Sequence, residues 1–568
     1  MTTNQPGKQA IVIDDQYTTY REFIQRVDAF SAYLVQECKI EVQDHIVFCM
    51  ERSIDCIVAL TAILNVGCVY IPIDPANSKQ RIQHILEDAA PKLVITTTKL
   101  VEEVDFSGRN ICLFDETELK AYAGVTVQAN VEEDFIMYIL YTSGTTGVPK
   151  GVAVNHKGAE NLLSEVKEEW PLDKKVLQFA SLGFDASVPE WAGCLASGGT
   201  LIMTEQRELT LGNELVKFIN KHGINYIKMP AAVLSSLNHE ESLPTVETIV
   251  TAGDACNQDL VDKWVDGRRF YNCYGPTENS IGSTRAECFK NTPVDIGVPV
   301  EDVEAYILDE NLDLVADGEV GEIYLGGIQV SYGYINKPGL TAEKFLPNPF
   351  KGDGERMYKT GDLGKLLPNG RLDFVGRVDN QIKLNGYRIE LDEIDVALKQ
   401  VDAFSQAAIT AIQNEKEQFL LAFYSAEATT TLNWTEIKET LKKLLPAYMI
   451  PHKFQQIDEF PLTVNGKIDS KKLKALYQED TEAEDTQSEG ENSLEKELEN
   501  IWKKVLKVPE VKSTDSFFDL GAGSLDAAIV IAEIEGKYGI SPSIADLYEH
   551  PEFNAFKKLT ERFVQAFA

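Results

Sequence analysis

The sequence predicts an α/β protein: a large N-terminal core of layered sheets and helices, a small α+β subdomain, and a C-terminal helical unit. Three observations carry that reading. Apolar β-branched runs alternate with helical patterns as far as about Arg377; strand-like and Lys-rich helical segments mix from there to Tyr477; and an acidic stretch precedes a last block of helical periodicity.

In chain order, AIVI at 10–13, KLVITT at 92–97, VLQFASL at 176–182 and ETIVTAG at 247–253 are expected strands of largely parallel sheets. The longest apolar run, Cys56 to Leu64, is bounded by Asp55 and Asn65. It falls far short of the roughly 20 apolar residues that span a bilayer, so it reads as a buried helix. Further on, QAAITAI and FLLAFYS are expected strands of the small subdomain, with a Lys-rich helix near 435–445. Residues 478–493, QEDTEAEDTQSEGENS, hold seven acidic residues and no basic or aromatic one. Such a segment cannot bury enough surface to order itself and is expected to be a flexible linker. Beyond it, Leu494, Leu498, Ile501, Trp502 and Val505 recur at helical spacing, and SLDAAIVIAEIEGKYGI gives a second helix ending near Gly539. The expected divisions are 1–378, 379–477, the linker 478–493, and 494–568.

A chain of 568 residues is too long for one core, and 44% hydrophobic with 25% charged residues is ordinary soluble composition. A net charge of −35 excludes nucleic acid as a natural partner, because phosphate backbones demand basic surface. The start, MTTNQPGKQA, has no apolar segment and no cleavage site, and the nine cysteines show no C-x-x-C spacing. A cytoplasmic protein with free thiols, no structural zinc and no membrane association is expected. Binding a polyphosphate to so acidic a chain requires local devices: backbone N–H groups, a few cations and a metal ion.

One segment supplies them. YTSGTTGVPKG, Tyr141 to Gly151, follows the apolar FIMYIL and packs one Ser, three Thr, three Gly and a Lys into eleven residues. Small residues let backbone N–H groups approach a phosphate closely, hydroxyls add donors, and Lys150 adds charge. The spacing does not fit the Walker pattern.

This segment resembles the signature of the adenylate-forming enzymes: acyl-CoA synthetases, luciferases and nonribosomal peptide synthetase adenylation domains. Further motifs of that family follow in order. They are ILNVGCVYIPID at 63–74, FDAS at 184–187, NCYGPTE at 272–278, GEIYLGG at 321–327, YKTGDL at 358–363, GRVDNQIKLNGYRIELDEID at 376–395, LPAYMIP at 445–451 and NGKID at 465–469. The resemblance covers essentially all of 1–477. It implies an ATP site built from Thr142, Ser143, Gly144, Thr145, Thr146, Gly147 and Lys150, with Asn272 at the adenine edge, Tyr274 against the base, and Asp362 and Arg377 at the ribose. Thr277 and Glu278 are implied at the α-phosphate and at Mg²⁺. Lys467 is the implied catalytic lysine, bridging the substrate carboxylate and phosphate oxygens and stabilising the charge that builds there. Asp379 matches the family hinge, about which the small subdomain is expected to swing so that the loop around Gly386 replaces Lys467 between half-reactions.

Asp185 separates the branches of the family. Amino-acid-activating members carry an aspartate there for the α-ammonium group, whereas aryl- and fatty-acid-activating members lack it, which implies an α-amino acid substrate. The implied pocket is Asp185, Ala186, Pro189, Ala232, Val250, Ala252, Cys273, Ile281 and Gly282, closed by Lys467. Apart from its two charged anchors this lining is apolar and mostly small, so a large apolar or aromatic side chain is expected. Pro189 departs from the bulkier residues common at its position.

DSFFDLGAGSLDA, Asp515 to Ala527, resembles the 4'-phosphopantetheine site of four-helix peptidyl carrier domains, with Ser524 as attachment point at a helix start. The family usually has Gly-Gly-His or Gly-Gly-Asp before this Ser; here it is Gly521-Ala522-Gly523. A plain N-cap serine is the bland alternative. The whole implies a loading didomain of nonribosomal peptide or related synthesis that uses ATP, Mg²⁺ and 4'-phosphopantetheine. Its implied partners are a phosphopantetheinyl transferase, downstream condensation or tailoring enzymes and a small activator protein. No H-H-x-x-x-D-G condensation motif and no G-x-S-x-G elbow is present. Two alternatives are an acyl-CoA or aryl-acid ligase with an accessory helical domain and an inactive scaffold. Asp185 and the carrier motif oppose the first, and Glu278, Asp362 and Lys467 oppose the second.

Overall fold

The computed structural model describes residues 5–567 apart from short segments, among them 144–147, 206–211, 238–242, 379–380, 385–386, 414–417, 427–431, 462–467, 478–492 and 521–523. Gly144, Thr145, Thr146, Gly147, Asp379, Gly386, Lys467, the Gly521-Ala522-Gly523 run and nearly all of the acidic linker lie outside the described residues.

The β-branched runs build two large sheets. In the nine-stranded sheet, Arg269–Tyr274, Thr248–Ala252, Tyr226–Met229, Lys175–Leu177, Thr200–Met203 and Gln9–Ile13 lie side by side and parallel, with antiparallel strands at both edges. The seven-stranded sheet is parallel from Ile136–Thr142 through Val69–Pro72, His45–Phe48 and Leu93–Thr96 to Ile111–Leu113. Helices fill the crossovers, as parallel pairing requires. Side chains cap several core helices: Thr19 and Glu22 form a capping box on Tyr20–Gln36, and Ser53 caps Ile54–Asn65, the apolar helix expected from Cys56 to Leu64.

Two expectations need correction. VLQFASL is a strand only over Lys175–Leu177. After Leu177 the amides of Phe179 and Ala180 turn away from any sheet partner and donate to the Glu190 carboxylate at 3.0 and 3.1 Å. The region before Arg377 is also not parallel throughout. Val303–Leu308, Gly321–Gly327, Arg356–Leu366, Phe345–Pro347 and Leu372–Arg377 form a separate antiparallel sheet, because short turns rather than helices join most of them.

Past Arg377 come the hairpin Gln381–Leu384 with Tyr387–Glu390, the helix Leu391–Leu398, and a three-stranded sheet in which Gln406–Gln413 and Gln418–Ser425 are the expected strands. The expected Lys-rich helix is Trp434–Leu444. Three long helices are described in the last unit: Ser493–Leu506, Ser524–Tyr538 and Phe553–Phe567. They close on the fully buried Trp502, whose ring meets Phe517 and Phe553 at centroid distances of 4.8 and 5.1 Å. Burying aromatics of this size contributes roughly 2–3 kcal/mol each. The helix opened by Ser524 rests against the core helix Gly212–His222.

Candidate active site

The site forms at the carboxyl ends of the parallel strands, where open α/β sheets bind ligands. The strand Ile136–Thr142 leaves the sheet there and returns antiparallel as Lys150–Asn155, with Thr142 opposite Lys150. Between them runs the phosphate segment. Its described hydroxyls fit an anion: Ser143 is buried, and Thr142 Oγ1 is shut off from solvent with no partner among the described residues.

Below that segment three groups interlock. Lys150 Nζ donates to the Tyr334 hydroxyl at 3.2 Å, that hydroxyl donates to Glu278 Oε1 at 2.8 Å, and Lys150 and Glu278 lie 3.3 Å apart. Lys150 is 4% exposed and Glu278 0%. A carboxylate so buried, next to Thr277 on the turn Thr277–Asn279 and facing the phosphate segment, fits a metal bound to phosphate.

The implied nucleoside residues also converge. Asp362 accepts from the Tyr274 hydroxyl at 2.6 Å and from the Arg377 guanidinium, across the register pair Asp362 with Arg377. Burial and the Asp362 charge push the Tyr274 phenol well above its ordinary pKa, so it remains a donor. Asn272 precedes Tyr274 in the same strand, and its amide donates to the Asp295 carbonyl at 2.8 Å. That bond fixes the amide plane and engages one of its donors.

Asp185 opens the short turn Asp185–Ser187. Its Oδ2 is buried without a partner among the described residues. Burial raises the carboxyl above its ordinary pKa, against the Thr277 hydroxyl and the Lys228 charge, which favour the anion. Beneath it lie Tyr70, Tyr138 and Trp191, all buried, with Tyr70 in ring contact with the other two. An incoming cation would satisfy the orphaned oxygen.

A cavity lies behind Tyr274, and Pro189, Ala252, Cys273, Ile281 and Gly282 are in its wall. Asp185, Ala186, Ala232 and Val250 are not. Register explains the floor: Lys228 pairs with Val250 and Ala252 with Cys273, so alternate residues of three adjacent parallel strands face one side. The far wall is held under strain. Ser280 and the β-branched Ile281 sit at φ 50° and 79°. Gln329 clamps them: its carbonyl accepts the Ser280 hydroxyl at 2.7 Å, and its side chain donates to the Ser280 carbonyl at 3.1 Å. Gly275 completes the turn, because a Cβ there would stand 2.6 Å from Gly282 Cα and from Ser283 N.

The lining carries charge beyond the two anchors expected. Lys228 and Arg285 are both in the wall. Lys228 is 7% exposed and donates to the Ala186 carbonyl at 3.2 Å. The signal was present in NYIKMP, where a lysine interrupts an apolar run at the carboxyl end of a parallel strand.

The small subdomain presents its hairpin to this site. Lys383 Nζ stands 4.9 Å from the centre of the Tyr274 ring, and Tyr387 packs edge-on to Phe184 at 5.5 Å, next to Asp185. Tyr387 also stacks on Tyr448 at 4.1 Å. In the last unit, Ser524 is the first residue of its helix, where an attached phosphate would meet free amide groups.

Comparison with known proteins agrees with this geometry. Residues 2–335 match the AMP-binding enzyme family, 393–467 its C-terminal domain, and 496–559 a phosphopantetheine attachment site. The chain belongs to the AMP-binding enzymes: it is an adenylate-forming ligase that uses ATP, fused to a phosphopantetheine carrier domain as in nonribosomal peptide synthetases. It is 36% identical to bacitracin synthase 3 of Bacillus licheniformis over 98% of its own length, and 34% identical to tyrocidine synthase 1 of Brevibacillus parabrevis over 96%. It spans 9% of the first and 50% of the second, at most about half the length of the curated relatives it matches. Its fold matches that of a holo NRPS protein containing adenylation and PCP domains bound to a vinylsulfonamide inhibitor, with TM-score 0.82, 23% identity and coverage of 98% of this chain and 94% of that one. It also matches a four-domain nonribosomal peptide synthetase bound to AMP and glycine, with TM-score 0.60, 28% identity, and coverage of 98% and 42%. Among the described residues no helix is long and apolar enough to cross a membrane.

Proposed function

We propose that this chain condenses one α-amino acid with ATP to give an aminoacyl-adenylate and pyrophosphate, then passes the acyl group to a phosphopantetheine thiol carried on its own Ser524. The observation that carries the amino-acid reading is the buried, partnerless Oδ2 of Asp185 beside the Thr277–Glu278 turn. An α-ammonium group placed there gains a charge-assisted hydrogen bond, and an acid without an amine leaves a buried carboxylate unsatisfied.

With the ammonium held by Asp185, the substrate carboxylate is directed toward the phosphate segment. Thr142, Ser143 and Lys150 bind and orient the triphosphate, while Asp362, Arg377 and Tyr274 fix the nucleoside, so attack at the α-phosphorus becomes a matter of placement. Mg²⁺, when bound at Glu278, would neutralise phosphate charge. Lys467 carries the matching charge from the small subdomain. Nothing has to remove a proton, since the substrate carboxylate is already an anion.

The loading step uses the other face of that subdomain. Lys383 and Tyr387 lie over Tyr274 and beside Phe184, which suits the arrangement expected for thioester formation, with rotation about Asp379 exchanging this hairpin for Lys467. Divisions at 378, 477 and 493, with an acidic linker before the last unit, fit such alternation. We further place a phosphopantetheinyl transferase and downstream condensation or tailoring enzymes as partners, a small activator protein as a further one, and the cytoplasm as the setting. The expected apolar or aromatic side chain rested on a lining apolar apart from its two anchors; Lys228 and Arg285 in the wall weigh against it.

Amino-acid-dependent ATP–pyrophosphate exchange tests the reading, with Asp185→Ala and Lys467→Ala beside the unaltered protein. Exchange with an amino acid that both variants abolish is expected. Exchange only with aryl or fatty acids, unaffected by Asp185→Ala, would hand the case to the acyl-ligase alternative.

A further inference from the structure

Lys228 is an ammonium in the wall of a narrow cavity whose other lining is largely apolar: Leu162, Val166 and Trp170 on one side, Pro189, Cys273 and Ile281 on the other. Its direct contacts do not account for its charge, although Asp185 and Glu190 both feel it. It is buried, and its hydrogen bond goes to a neutral acceptor, the Ala186 carbonyl. Among the described residues no carboxylate lies within ion-pairing distance of its Nζ. A buried ammonium of this kind is costly unless paired and fully hydrogen-bonded.

The nearby carboxylates are engaged elsewhere. Glu190 takes the amides of Phe179 and Ala180 at 3.0 and 3.1 Å and the Gln178 side chain at 3.2 Å, and burial pushes its carboxyl up to about 8. The Lys228 charge opposes that shift, but the two groups do not come within ion-pairing distance. Asp185 is the group suited to the substrate ammonium. Arg285, the other cation in the wall, is already ion-paired: Glu165 and Glu169 hold its Nη2 at 2.9 and 3.1 Å, while its Nη1 is buried without a hydrogen-bond partner among the described residues. Among the described residues, Lys228 is thus the one cation in this wall without a carboxylate.

Resting on the amino-acid reading above, we infer that Lys228 recognises the side chain of the substrate, and that this side chain ends in an oxygen acceptor, a carboxylate or a carboxamide. Asp185 and Lys228 then form two poles of opposite charge: the first takes the α-ammonium group at the turn Asp185–Ser187, the second takes the side-chain oxygen deeper in the cavity. The Ala186 carbonyl joins the poles, since it both follows Asp185 and holds the Lys228 ammonium. A purely structural role would leave Lys228 only to brace that turn.

Exchange measured with Asp, Glu, Asn, Gln, Leu, Met and Phe on the unaltered protein and on Lys228→Met decides the matter. The unaltered protein is expected to favour one of the first four, with Asp or Glu against Asn or Gln telling carboxylate from carboxamide. Lys228→Met should lower exchange with that amino acid by about tenfold to a hundredfold and raise the share of Leu or Met. A preference of the unaltered protein for Leu, Met or Phe overturns the inference whether or not the variant folds, and leaves amino-acid activation standing. Silence with all seven overturns this inference, and silence extended to the twenty common amino acids overturns the amino-acid reading itself.

Discussion

Arg81 and Glu393 form a buried ion pair at 3.3 Å across 312 positions of sequence, each side chain 7% exposed. Arg81 also donates to the carbonyl of Tyr141, at the entrance to the phosphate segment, at 3.3 Å. Its partner lies on the helix that follows the hairpin facing the active site. One guanidinium therefore ties the ATP site to the orientation of the small subdomain, and the Ser78 hydroxyl adds a bond to the Leu444 carbonyl nearby.

If that pair holds the loading arrangement, weakening it should separate the half-reactions. Removing one partner would strand a buried charge at about 3–5 kcal/mol, so the double variant Arg81→Met with Glu393→Leu is the cleaner test. We expect aminoacyl transfer to the carrier to slow by about tenfold while ATP–pyrophosphate exchange is retained. Equal losses in both assays would show that the pair only stabilises the fold.

Asp185→Asn keeps the shape of the side chain and removes its charge. The kcat/KM for the amino acid in pyrophosphate exchange should fall by roughly ten- to a hundredfold, with KM for ATP little changed. A matching rise in KM for ATP would place the effect on the site as a whole.

Gly275→Ala adds a methyl group 2.6 Å from Gly282 Cα, in a turn already held at positive φ by Gln329. Overpacking there should cost about 1–3 kcal/mol, read as a lower Tm, with KM for the amino acid raised more than KM for ATP. An unchanged KM for the amino acid would show that the turn does not shape the pocket.

Burial lifts the Asp395 carboxyl to about 6, although the Ile409 amide donates to it at 2.8 Å. Its pKa is higher in the folded than in the unfolded chain, so the folded state holds the extra proton between about pH 4 and 6. Its contribution to stability therefore grows as the pH falls through 6 and is lost as the pH rises above it. Asp395→Asn should flatten that part of the stability profile, measured by urea unfolding at pH 5 and pH 7. A slope unchanged by the substitution would assign the effect elsewhere.

The sequence revealed what is local. Phosphate segment, adenosine motifs and carrier serine each lie in one short run, and the helix starting at Ser524 was legible because it depends on neighbours only. What depends on pairing between distant segments was not. Lys228 reaches the cavity because its strand lies beside Thr248–Ala252 in the sheet, and Arg81 meets Glu393 only through the docking of the small subdomain. The position implied by the resemblance, Ala232, falls on the helix Ala231–Ser235, whereas the wall is formed by the strand before it. The antiparallel pairing within 303–377 was equally illegible, because strand-like runs alone do not report how their ends are joined.

We propose above all that this chain loads its own carrier. Intact-mass measurement of the phosphopantetheinylated protein after incubation with ATP, Mg²⁺ and the amino acid active in exchange tests it most directly. We predict a mass gain of one aminoacyl group, reversed by hydroxylamine and absent in Ser524→Ala, which still supports pyrophosphate exchange. An adenylate that forms and dissociates with no mass gain on the carrier would contradict the account.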